Sequence, residues 1–138
     1  MSFFMRSILF FLFGCICLYA CSSEGEGYKI KNTSRVEIYY NDGDSVYKFI
    51  DTLPTEQTIN AFIQVLNGKS MQRIYYSGTG EIGFYSKDSL LFESAFLISG
   101  EKHQYLMNGE RAWKLTYNSG MYLSAIIAGL KNNNAKHH

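Results

Sequence analysis

Three kinds of side chain in this 138-residue chain could carry chemistry, namely three Cys, three His and twelve acidic residues. Catalysis by nucleophile or general base needs such groups at converging positions. His103 is the one His outside the C-terminal end of the chain. No acidic residue is spaced from His103 in a way that indicates an acid–base pair; the acidic residues near the ends of predicted strands are Asp51, Glu81, Asp88 and Glu101. We therefore predict a protein without catalytic residues.

Metal and cofactor sites are equally unsupported by the residue pattern. Asp42-Gly43-Asp44 offers two carboxylates, whereas Ca²⁺ takes about six to eight oxygen ligands. Gly78-Thr79-Gly80 lacks the following Lys of a phosphate-binding loop. The sequence thus predicts no metal and no cofactor.

The N-terminal segment contains all three Cys. Residues 1–20 have one charge, Arg6, followed by an uncharged apolar run that is too short to span a bilayer. This is the pattern of an export signal. Leu18-Tyr19-Ala20-Cys21 then resembles the lipobox of bacterial lipoproteins. The resemblance implies cleavage after Ala20, lipidation of Cys21 and a lipid anchor in the membrane.

Two other interpretations of this segment stay open, an uncleaved signal anchor and a secreted protein in which Cys21 is incidental. Ser22 instead of Asp favours the outer membrane of the cell envelope, on its periplasmic side or at the cell surface. Glu24 and Glu26 weakly resemble the acidic export tag of surface lipoproteins in Bacteroidetes, whose small lipoproteins this chain resembles. Because Cys15 and Cys17 leave with the signal and Cys21 carries lipid, we expect no disulfide.

The charge balance bears on the class of partner, and the aromatic content bears on the core. The chain has 13 basic and 12 acidic residues, and loss of Arg6 with the signal balances the two. This balance argues against nucleic acid as a partner. Eleven Tyr, ten Phe and one Trp supply a large apolar area for a core held by packing alone.

The elements that must position these residues begin with a hairpin. Two alternating segments, 35–40 and 45–49, flank Asp42-Gly43, which fits a two-residue type I′ turn. This register would set Glu37 opposite Lys48. It would also place a set of apolar residues on one face, namely Val36, Ile38, Tyr40, Tyr47 and Phe49.

Two helices and five more strands follow. Thr55 is the predicted N-cap of a helix that ends at Gly68 in a left-handed cap, and Asn118-Ser119-Gly120 opens a last helix. The strands are expected at 71–76, 81–85, 90–98, 103–107 and 110–116, joined by short turns as an antiparallel meander.

The order ββ-α-βββββ-α predicts the α+β class, with a single curved antiparallel sheet and two helices packed on one face. Domain boundaries follow from composition. Residues 1–20 are the lipoprotein signal peptide, 21–29 the lipidated Cys and a flexible tether, 30–131 the α+β domain, and 132–138 a polar tail.

The sheet face away from the helices is the candidate binding face. Alternation assigns Ile38, Ile74 and Phe84 to the helix side, so the neighbouring positions point outward. The predicted binding residues are Tyr39, Arg73, Tyr75, Tyr85, His103 and Tyr105. Tyr among charged residues is typical of recognition surfaces, although Tyr also favours ordinary sheet surface.

The resulting hypothesis is a non-catalytic, lipid-anchored envelope protein that binds a protein partner through an open Tyr-rich sheet face. An inhibitor, an immunity-type protein and an accessory subunit all fit this description. The alternative is a lipoprotein that binds a carbohydrate or small ligand in a concave Tyr-lined pocket. An envelope enzyme built around His103 is the third hypothesis.

Overall fold

The computed structural model describes residues 25–73 and 79–135. Cys21 and the signal segment, as well as Ile74 and Tyr75, lie outside the described residues. The elements are a 3-10 helix Glu26–Ile30, β1 Arg35–Asn41, β2 Val46–Asp51, α1 Glu56–Asn67, β3 Met71–Gln72, β4 Gly80–Ser86, β5 Ser89–Ser99, β6 His103–Asn108, β7 Arg111–Lys114 and α2 Tyr117–Ala135.

The seven strands form one antiparallel sheet in the order β2-β1-β4-β5-β6-β7-β3. Helices α1 and α2 both pack their apolar residues against one face of this sheet. The α+β class with an open sheet and two helices on one face is therefore confirmed.

The core lies between the helices and the inward-facing residues of the strands. Phe62 of α1 is fully buried and meets Phe84 of β4 and Tyr122 of α2, with ring centroids 5.3 and 5.8 Å apart and edge-to-face geometry. Such pairs contribute beyond their buried area. The predicted inward residues Ile38 and Phe84 are both buried here, and so are Phe92, Phe96, Leu106, Trp113 and Leu115.

The β1–β2 hairpin forms, but its predicted two-residue turn is wrong. Asn41 pairs with Val46, so the loop has four residues, and Lys48 lies opposite Tyr39 instead of Glu37. The cause is the Asp42 carboxylate, which accepts hydrogen bonds from the N–H groups of residues 44 and 45 and stabilises a wider loop. A register shift of two residues preserves the faces, so the apolar side is as predicted.

Strand β3 also departs from the predicted meander. Met71 pairs with Ala112 of β7, while β4 pairs with β1 and β5. Because β3 and β4 are not neighbours, the predicted turn at Gly78-Thr79-Gly80 does not join two paired strands; Gly78 itself lies outside the described residues. The meander is confined to β4, β5, β6 and β7.

Helix α1 begins as predicted and ends differently. The Thr55 hydroxyl accepts a hydrogen bond from the N–H of Thr58 at 3.2 Å, so Thr55 is the N-cap. Gly68 has φ −71° and ψ 171°, which is extended, and the left-handed cap predicted there is wrong. The Gly68 N–H instead donates to the carbonyl oxygens of Gln64 and Val65, which satisfies the helix end without a left-handed residue.

The boundaries of the domain are wider than expected at both ends. Residues 26–29, assigned to the flexible tether, are part of the 3-10 helix Glu26–Ile30, and Ile30 is fully buried in the core. Helix α2 continues to Ala135, into the segment expected to be a polar tail. Among the described residues, no helix is both long and apolar enough to cross a membrane.

Candidate functional site

The sheet face away from the helices contains four of the six predicted binding residues. Strand pairing fixes their orientation, because Ile38 and Phe84 point into the core and residues at odd spacing from them point outward. Tyr39 lies on β1, Tyr85 on β4, and His103 and Tyr105 on β6. Tyr75 lies outside the described residues. These four positions are spread over the sheet: Tyr39 and Tyr85 belong to one group, Tyr105 belongs to a second, and His103 lies at the margin.

The first group is centred on Glu37 of β1. Its carboxylate lies 3.7 Å from Arg35 Nε and 3.7 Å from Lys48 Nζ. The Arg35 guanidinium lies 4.5 Å from the centre of the Tyr85 ring, and the Lys48 ammonium lies 5.3 Å from that of Tyr39. Each cation is thus shared between one carboxylate and one ring, which fixes both aromatic side chains.

Gly83 positions the Tyr85 ring. A Cβ on Gly83 would lie 2.9 Å from Tyr85 Cε2, so the ring occupies the space that a side chain there would need. The Arg35 guanidinium also donates a hydrogen bond to the Lys87 carbonyl oxygen at 2.9 Å. The arrangement is therefore held in place by backbone as well as by charge.

The electrostatics of the group follow from these neighbours. Burial of the phenol and the nearby Glu37 carboxylate raise the pKa of Tyr85. Contact with the Tyr39 hydroxyl and the charge of Glu37 raise the pKa of Lys48. The raised pKa values keep Tyr85 neutral and Lys48 charged at neutral pH, so Tyr85 offers a phenol and Lys48 a positive charge for recognition.

An apolar column lies beside this group on edge strand β2. Val46 and Ile50 point outward on either side of Lys48 and are 65% and 42% exposed. Tyr39, directly opposite Lys48, is 36% exposed. We call the surface formed by Glu37, Tyr39, Val46, Lys48 and Ile50 the edge patch. It combines exposed aliphatic and aromatic area with one charge of each sign.

The second group lies in a part of the face that is closed. Leu97, Met107 and Ala112 form a small cluster and are 8%, 1% and 0% exposed, although they point away from the helices. Tyr105 packs against this cluster and is half-buried. The prediction of one open Tyr-rich face is wrong for β5, β6 and β7.

Two predicted residues lie at the margins of the sheet. His103 is exposed at the start of β6, opposite Ser99. Arg73 donates to the carbonyl oxygen of Gly109 at 2.9 Å and so braces the β6–β7 turn. Within residues 25–73 and 79–135, no cluster of three or more His, Cys, Asp or Glu could hold a metal ion.

Arg35, Val46 and Ile50 were not among the predicted binding residues. The signal was present, because strict alternation along β1 and β2 sets these residues on the face opposite to Val36 and Phe49. The predicted set was chosen among aromatic and charged residues and so left out the exposed aliphatic residues of β2. Comparison with protein families, curated proteins and solved structures found no match.

Proposed function

We propose that this protein is a non-catalytic, lipid-anchored protein of the bacterial cell envelope that binds a protein partner through the edge patch. The anchor is the Cys21 lipid implied by the lipobox, and Ser22 favours the outer membrane. The partner class includes an enzyme that the protein inhibits and an envelope complex to which it is accessory.

The composition of the edge patch supports a protein partner. Val46 and Ile50 expose aliphatic area on an edge strand, and Tyr39 adds aromatic area beside them. Aromatic and apolar anchors surrounded by charged residues are what protein interfaces use at their centre and rim. The observation that carries the proposal is this exposed apolar column. Folding leaves its side chains in contact with water, and a bound partner would bury them.

The alternative of sugar binding is weaker on this geometry. A sugar ring binds by stacking on a free aromatic face, but Lys48 already lies over Tyr39 and Arg35 over Tyr85. A stacking ligand would compete with these cations. Tyr39 lines a depression of about 370 Å³ that is open to solvent, and Tyr85 is not among its lining residues, so the two rings do not share one pocket.

Site-specific photo-crosslinking in intact cells tests the proposal. Tyr39→p-benzoylphenylalanine places the reactive group in the edge patch, and the same substitution of Tyr117, which is 79% exposed at the start of α2, is the matched control. We expect a discrete crosslinked species with a second protein at position 39 and none at position 117.

A double substitution, Val46→Ser with Ile50→Ser, should reduce that species at least tenfold, because about 1.4 kcal/mol of lost binding energy gives a factor of ten. Met121→Ser, which alters an exposed residue on α2, should leave it unchanged. Equal products at positions 39 and 117, or a product made only of two copies of this chain, would contradict the proposal.

A further inference from the structure

The 3-10 helix is docked tightly onto the C-terminal end of α1. A Cβ on Gly25 would lie 2.4 Å from Asn67 Cα, and one on Gly27 would lie 2.6 Å from the Ile63 carbonyl oxygen. Only Gly allows such an approach of backbone to backbone. The Gly27 N–H also donates to Asn67 Oδ1 at 2.9 Å.

The other side of the 3-10 helix is fixed to the sheet. The Glu26 carboxylate accepts a hydrogen bond from the Arg111 guanidinium of β7 and lies 3.5 Å from Lys29 Nζ. Ile30 is fully buried in the core. Residues 25–30 therefore belong to the folded domain through contacts to α1, to β7 and to the core, and Glu26 is part of it instead of a free acidic tag.

This docking shortens the reach between Cys21 and the domain. Residues 21–24 are four residues, and an extended chain spans at most about 3.6 Å per residue, or about 14 Å in all. The nine-residue tether expected from composition would have allowed about 30 Å. If Cys21 carries the lipid, the surface around Gly25 must lie near the headgroups.

That surface has the residue types found where proteins meet membranes. Tyr28 is 65% exposed, Lys31 is exposed, and both line a shallow groove of about 660 Å³ with Ile63, Asn60 and Asn67. Tyr and Lys place polar ends among headgroups and their hydrocarbon below them. Glu26, which an anionic surface would repel, is neutralised by Arg111 and Lys29.

We propose that the surface formed by Tyr28, Lys31, Asn60 and Asn67 rests on the membrane and holds the domain in one orientation. This inference rests on the proposed lipid anchor at Cys21. After the 3-10 helix, the Thr33 N–H donates a hydrogen bond to the Ile30 carbonyl oxygen. The chain then enters β1 at Arg35. Strand β1 runs from there to Asn41, about 20 Å farther along the sheet.

The outer end of the edge patch, at Val46 and Tyr39, accordingly points away from the bilayer. Loop residues 42–45 at the tip of the hairpin are the part of this strand pair farthest from the 3-10 helix along β1. A partner would meet the edge patch from the side opposite to the membrane.

Depth-dependent quenching tests the orientation with the full-length lipidated protein in vesicles of phosphatidylethanolamine and phosphatidylglycerol. Because Cys21 is acylated, one introduced Cys can be labelled alone with a fluorophore. Tyr28→Cys and Lys31→Cys report on the proposed surface, and Asp44→Cys, at the exposed hairpin tip, is the matched control.

We expect a quencher attached to lipid headgroups to quench the labels at 28 and 31 at least threefold more than the label at 44. Equal quenching at all three positions, or stronger quenching at 44, would overturn the orientation. Failure of the protein to acquire acyl mass and to float with the vesicles would instead overturn the lipid anchor, so the two results are distinguishable. If Tyr28→Cys fails to fold, the comparison of positions 31 and 44 decides.

Discussion

The protonation of Glu26 is coupled to the free energy of unfolding. Burial raises the pKa of its carboxyl group. The hydrogen bond and charge of Arg111, together with the charge of Lys29, lower this pKa by more than burial raises it, so the pKa lies below its usual value. A group whose pKa is lowered on folding stabilises the folded state above its unfolded pKa and loses this effect as pH falls through the folded pKa.

We expect Glu26→Gln to lower the free energy of unfolding by about 1 kcal/mol at pH 7, since the ion pair is partly exposed. The difference between wild type and variant should shrink as pH falls below the ordinary carboxyl pKa of about 4.5 and vanish once pH has fallen below the lowered pKa of the folded state, where both side chains are neutral. Urea denaturation at several pH values measures it. Glu81→Gln, at an exposed residue, is the control, and a difference that is independent of pH would contradict the role given to Glu26.

At the residue scale, the sequence identified the outward positions of single strands but not their environment. Tyr39 and Tyr105 have the same alternation signal, yet Tyr39 is exposed beside Lys48 and Tyr105 packs against Met107. Alternation along a strand shows which face of the sheet a residue is on, but it does not show whether other residues cover that face. Of the five residues that form the edge patch, Tyr39 alone was a predicted binding residue.

The helix-to-helix contact at Gly27 carries the main prediction at the scale of elements. Gly27→Ala would place a methyl group 2.6 Å from the Ile63 carbonyl oxygen and 2.8 Å from Ile63 Cγ2. Because the clash involves backbone, we expect a loss of about 1–3 kcal/mol in the free energy of unfolding, with increased hydrogen exchange in residues 26–30.

Gly129 provides a matched control within α2. A Cβ at this position meets no atom within 4 Å, and Ala is preferred to Gly in a helix by about 1 kcal/mol. Gly129→Ala should therefore raise the midpoint of thermal unfolding while Gly27→Ala lowers it. A neutral Gly27→Ala would mean that the 3-10 helix contributes nothing to the stability of the domain.

Local signals located α1 and the β1–β2 hairpin but misjudged the β1–β2 turn and the cap at Gly68, and elements fixed by distant contacts were not predicted. Thr55 caps α1 because its hydroxyl reaches a neighbour three residues away, which is a local property. The 3-10 helix depends on Asn67 and Arg111, 40 and 85 residues distant from their partners, and its composition of Gly and Glu is typical of a flexible linker. Strand β3 likewise finds its partner β7 across about 40 residues.

At the scale of the whole molecule, the proposed anchor at Cys21 would decide where the domain works. Cys21→Ala should abolish incorporation of labelled fatty acid and leave an uncleaved precursor. No mature form should then be present in the membrane fraction. Metabolic labelling followed by mass spectrometry measures all three. Labelling that is unchanged in the variant would show that another residue carries the lipid or that none does.

One consequence of the docked 3-10 helix concerns shedding of the protein from the cell. With a lipid on Cys21, four residues separate the anchor from backbone that is packed against Asn67 and Ile63. A protease cuts an extended stretch of chain in its active site, so cleavage near the anchor requires residues 25–30 to unfold first. Release into the medium would then be limited by the stability of this one helical turn, and the Gly27→Ala protein would be shed faster than the wild type.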